Sequence, residues 1–145
     1  MVPIMDTVAQ HLLWLFPMLW LGMVLAISFL EAPLKFRAPG VTIPLGLGIG
    51  RLVFRALNSV EAVLAALLLI AAAIVAPTTA TWIWLVLATL LLAAQILLVR
   101  PPLSKRTDQV LAGADLPRSH AHYWYIALEA IKVVALIGLA INATP

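Results

Sequence analysis

Four long apolar runs, separated by short polar segments, organise this chain. The first runs from about Val8 to Leu30 without a charge, the third from about Thr81 to Val99 and the fourth from about Ala121 to Asn142. Each reaches the roughly 20 residues that a helix needs to cross a hydrocarbon core of about 30 Å. The second takes more argument. The uncharged stretch before the turn "APTTAT" begins only at Ala62, too short to cross, so the helix must start earlier, near Ala56, and end near Ala76. That places Asn58 and Glu61 inside the membrane or at its boundary. Upstream, "VTIPLGLGIGRLVFR" is too long for a turn and too broken by Pro44, Gly46, Gly48, Gly50, Arg51 and Arg55 for a lipid-facing span. The pattern predicts an all-α membrane protein: a four-transmembrane-helix bundle (spans about 8–30, 56–76, 81–99 and 121–142) with a short interfacial or re-entrant helix before span two.

The polar positions inside these runs are not scattered. His122, Tyr125, Glu129 and Lys132 stand at offsets 0, 3, 7 and 10, which puts them on one face of span four. Glu129 lies roughly 12 Å and Lys132 roughly 16 Å below the start of that span, too deep for easy snorkelling. Arg51, Arg55, Asn58 and Glu61 form a second stripe if the helix is continuous there. Ser28, Glu31 and Lys35 mark a third at the end of span one, and Gln95 faces a partner from span three. Intramembrane ionisable groups normally face a bundle interior or a wet cavity. The stripes therefore predict a polar ligand-binding pocket of Glu31, Arg51, Arg55, Asn58, Glu61, Gln95, His122, Tyr125, Glu129 and Lys132. The competing reading is a neutral structural network, with Glu129 and Lys132 pairing within one helix and Glu31 and Glu61 satisfying Arg51, Arg55 or Lys35.

Composition agrees with the lipid setting: 64% hydrophobic, 10% charged and a mean hydropathy of +1.10. Four spans consume most of the 145 residues, so residues 1–145 read as a single integral membrane domain. The first segment, with Asp6 and no basic residue at its start, reads as a retained span rather than a cleavable signal. The absence of cysteine excludes disulfides, thiolate nucleophiles, iron–sulfur clusters and cysteine zinc sites. A pI of about 9.8 invites a nucleic-acid reading, but eight of the nine basic residues lie in or beside two short loops, the ninth being Lys132. Lys35, Arg37, Arg51 and Arg55 lie between spans one and two, and Arg100, Lys105, Arg106 and Arg118 between spans three and four. By the positive-inside rule, loops 31–55 and 100–120 are cytoplasmic and both termini lie outside, in a plasma or inner membrane.

Haem ligation by two histidines is disfavoured within one chain, because His11 lies at the outer end of span one and His120 and His122 at the cytoplasmic end of span four. No cofactor is predicted; a metal ion held by His122, Glu129 and Glu61 is an open alternative. Ser28, Ser59, Ser104 and Ser119 lack a nucleophile setting, and Ser119 after Pro117 reads as a helix N-cap. "GLGIG" lacks the ending of a phosphate loop; its Gly46 and Gly50 suit close helix packing.

The runs "LGMVLAISF", "PLGLGIGRLVFRALNSVE", "LLVRPP" and "SHAHYWYIALE" resemble the four-span domain of the transmembrane-protein-205-like family, sometimes linked with copper-resistance D proteins. The resemblance implies a left-handed four-helix bundle with the polar residues of spans one, two and four gathered inside. It supplies no catalytic residues, and a copper role finds little support in a chain without cysteine and with only four methionines. The first functional expectation is binding or transport of a small polar or ionic solute. Arg51, Arg55 and Lys132 would attract negative charge, while Glu61 and Glu129 exchange protons or balance those cations. Homodimerisation, or assembly with other membrane subunits, is expected, and no nucleic-acid partner. An accessory subunit whose buried charges fix packing is the second expectation. A membrane enzyme using His122, Tyr125 and Glu129 on a lipid-soluble substrate is the third.

Overall fold

The computed structural model describes residues 3–117 and 120–145; Arg118 and the N-cap proposed at Ser119 lie outside the described residues. The described chain is helical, with no strand. Helix α1 (Ile4–Val24) runs into a π-helical segment, Leu25–Glu31, then the short α2 (Ala32–Leu34) and a 3₁₀ turn, Lys35–Arg37. After a bend come α3 (Ile43–Val75), α4 (Thr79–Ala94), a second π-helical segment, Gln95–Val99, then α5 (Arg100–Leu111) and α6 (His120–Ala143). As continuous rods these make four helices long and apolar enough to cross a membrane: Ile4–Arg37, Ile43–Val75, Thr79–Leu111 and His120–Ala143.

Three of the rods exceed the lengths predicted. The separate helix expected before span two is not formed: residues 43–75 are one helix of 33 residues, about 50 Å long. Pro44 falls in its first turn, where a missing N–H costs nothing, and the Thr42 hydroxyl accepts a hydrogen bond from the amide of Leu45. The glycines that looked like interruptions are contact points. A side chain on Gly46 would run into the ring of Phe36, and Gly50 sits against the Lys35 ammonium. Likewise Pro101 and Pro102 do not end the third rod, which continues to Leu111.

Both π-helical segments stand just before a proline, Pro33 in one case and Pro101–Pro102 in the other. A proline ring clashes with the carbonyl four residues earlier, and a wider turn at that level relieves the clash while the rod continues.

The rods form a closed ring, α1 against α3 and α6, and α4 against α3 and α6. Trp20, Leu68, Ala72, Leu85, Ala88, Leu136 and Leu139 fill its centre with essentially no exposure. Trp84, early in α4, lies over Gly138 of α6, where an added Cβ would stand 2.5 Å from the indole. Apolar side chains such as Val63, Ile70, Leu90 and Val134 point outward. An apolar exterior of this extent suits lipid.

Candidate functional site

Inside this apolar ring lies a charged cluster drawn from all four rods. Glu61 of α3 and Glu129 and Lys132 of α6 are at most 1% exposed. The Lys132 ammonium sits 2.6 Å from Glu61 Oε1 and 2.9 Å from Glu129 Oε2, and donates a 2.7 Å hydrogen bond to Gln95 Oε1. The amide of Gln95 donates in turn to Glu129 Oε2. Trp20 Nε1 donates to Glu61 Oε1 at 2.8 Å, Asn58 Nδ2 donates to Glu61 Oε2 at 2.7 Å, and the Ser28 hydroxyl donates to Glu129 Oε1 at 2.6 Å. Lys132 thus bridges two carboxylates, and every carboxylate oxygen meets a donor. Desolvating such ions is costly, and only this density of partners can offset it.

The two π-helical segments supply Ser28 and Gln95, the donors that reach Glu129 from the first and third rods. A π turn re-aims the side chains near it, a device frequent at functional sites.

Beside the cluster, towards the predicted cytoplasmic end, opens a cavity of about 450 Å³. Phe29, Phe36, Phe54, Leu103 and Ile126 give it apolar walls, while Lys35, Arg51 and Arg100 bring positive charge and Glu129 and Ser28 join it to the cluster. Lys35 lies over the rings of Phe36 and Phe54 and pairs with Glu31 at 3.6 Å. Arg51 pairs with Asp108, tying α3 to α5. Arg100, the third of these cations, makes no ion pair among the described residues. Tyr125 and His122 also line the wall. The Tyr125 hydroxyl faces the Asn58 side chain, yet neither that hydroxyl nor Asn58 Oδ1 closes a hydrogen bond among the described residues, although both residues are buried.

Of the expected pocket residues, Asn58, Glu61, Gln95, Glu129 and Lys132 meet in the cluster, with Tyr125 beside it. Arg51 and His122 reach the cavity wall and Glu31 stands behind Lys35. Arg55 is exposed and lines neither the cavity nor the cluster. The metal alternative would join Glu61 and Glu129, but an ammonium stands between them, and no group of three metal-ligating side chains converges among the described residues. His11 bonds its own helix at Thr7 and lines a separate cleft at the opposite end of the bundle.

The sequence reading omitted Trp20, Ser28, Lys35 and Arg100 from the pocket. Trp20 carried a usable signal: an indole far from either end of a span needs an acceptor for its N–H. Ser28 and Lys35 were placed on a stripe but not in the pocket. Arg100 was read as a topology residue because the prolines after it hid the continuation of the rod. No family model, curated protein or solved structure matches the chain.

Proposed function

We propose that this protein is a small membrane module that binds, and carries, a small polar or ionic solute through the cavity beside the Glu61–Lys132–Glu129 cluster. One observation carries the reading: a roomy cavity with three cationic side chains on its wall abuts a buried cluster of opposite charges from α3 and α6, held by side chains of all four rods. Arg100 is the cation there that makes no ion pair among the described residues, so an anionic group is the favoured guest, with apolar walls accommodating its body. Tyr125 and His122 add polar side chains to the same wall. A second cleft at the far end, lined by Gln10, His11, Thr78 and Asn142 among others, gives a solute a place to leave.

In this reading the cavity faces the cytoplasm of a plasma or inner membrane, both termini lie outside, and a second copy or another membrane subunit completes the path. The test is flux into proteoliposomes of phosphate, chloride, acetate, benzoate, sodium and potassium. Movement of at least one above the protein-free background is expected, and none above it overturns transport. An accessory-subunit role is favoured by a different observation, that every carboxylate oxygen of the cluster already meets a donor. It predicts co-purification with a larger complex and no flux.

A further inference from the structure

The charged cluster is not balanced within itself: two carboxylates, Glu61 and Glu129, share one ammonium, Lys132. We propose that Glu129 is a proton-exchange site that takes up one proton from the cavity, while Glu61 remains the permanent partner of Lys132. This deepens the solute-carrier reading by assigning the ion that would move with the solute. In a low-dielectric setting an unbalanced charge is strongly disfavoured, and a single proton brings the cluster to neutrality.

The geometry distinguishes the two carboxylates. Glu61 Oε1 is held by an indole N–H, which can only donate, and by the ammonium at 2.6 Å. Its Oε2 faces the Asn58 amide, which could accept a proton's hydrogen bond only by turning over. Glu129 Oε1 faces the Ser28 hydroxyl, which changes from donor to acceptor by rotating its own hydrogen. Glu129 and Ser28 also line the cavity, whereas Glu61 does not. Proton uptake forms one O–H bond on Glu129 Oε1, consumes one proton from cavity water and changes the cluster's charge from −1 to 0. Meanwhile Gln95 and Lys132 stay on Oε2.

The charged and titratable groups around Glu129 are Lys132, Tyr125 and His122 of its own helix, Glu61 of α3, and the cavity cations Lys35, Arg51 and Arg100. An anion neutralising Arg100 would remove positive charge from the cavity and favour the proton on Glu129, which couples the two ligands.

The test is infrared difference spectroscopy of the purified, membrane-reconstituted chain between about pH 4 and about pH 9, with no solute added. The wild type is expected to gain a buried carboxylic-acid carbonyl band on acidification. Glu129→Gln is expected to lose it, Glu129→Asp to keep it at a shifted position, Glu61→Gln to weaken it because Lys132 then balances Glu129 alone, and Ser28→Ala to move its midpoint. The proposal is overturned if the band survives in Glu129→Gln, if its position is unchanged in Glu129→Asp, or if the wild type shows none. Glu129→Asp covers the case in which the glutamine variant does not fold. Because no solute is present, a failed titration leaves the flux result standing, and the reverse holds as well.

Discussion

Lys132 is the residue on which the interior depends. It holds Glu61 and Glu129 together, and replacing it with an apolar side chain leaves two buried carboxylates facing each other. Lys132→Met is expected to cost about 3–5 kcal/mol of stability. Glu129→Gln is expected to cost less, because Glu61 still pairs with Lys132. In the double variant Glu61 alone remains charged, held by Trp20 and Asn58, so part of the loss returns. Unfolding in detergent, scored as a double-mutant cycle, checks this; strict additivity of the two single effects would contradict it. Much of this site was legible in the sequence, since the offsets of Tyr125, Glu129 and Lys132 give one helix face from periodicity alone. What stayed hidden was pairing between rods. Nothing local to Trp20 or Ser28 says which carboxylate each will meet, because that depends on how α1 packs against α3 and α6.

At the level of elements, prolines read by local rules alone mislead where their role is tertiary. Pro101 and Pro102 read locally as a stop, yet a π-helical segment lets the rod run on and turns Gln95 towards Glu129. The glycines before Arg51 read both as breaks in a span and as packing positions, and the packing reading holds, with Gly46 accepting the Phe36 ring. Gly138 shows the same device in α6, and it sets a quantitative expectation. Gly138→Ala would force its methyl against Trp84 and should destabilise by about 1–3 kcal/mol. Gly22→Ala, with nothing within 4 Å of the new methyl, should be neutral or stabilising by up to about 1 kcal/mol through helix propensity alone. Detergent unfolding of the two variants compares them directly. Equal effects would contradict the close α4–α6 approach.

For the whole molecule, the apolar runs sufficed to foresee four helices able to cross a membrane, because a 30 Å slab imposes that length. The polar stripes foresee a pocket but not its full wall, since Phe36, Arg100 and Leu103 come from helix extensions that local sequence rules ended too early. Orientation can be measured with little ambiguity, because the chain has no native cysteine. Single cysteines placed at Lys105 and at Thr144, labelled with an impermeant maleimide on intact cells, should react only at Thr144→Cys; the reverse pattern would invert the proposed topology.

The central claim is that the cavity receives a charged solute at Arg100. The most direct measurement is the melting temperature of the purified protein, wild type and Arg100→Gln, across increasing phosphate, chloride, acetate, benzoate, sodium and potassium. A ligand that binds only the folded state adds about 2.7 kcal/mol at 100 times its Kd. The account predicts that at least one of the anions raises the wild-type melting temperature in a saturating manner and that Arg100→Gln abolishes the rise. No saturating shift with any of the six ions, or an equal shift in Arg100→Gln, would contradict it.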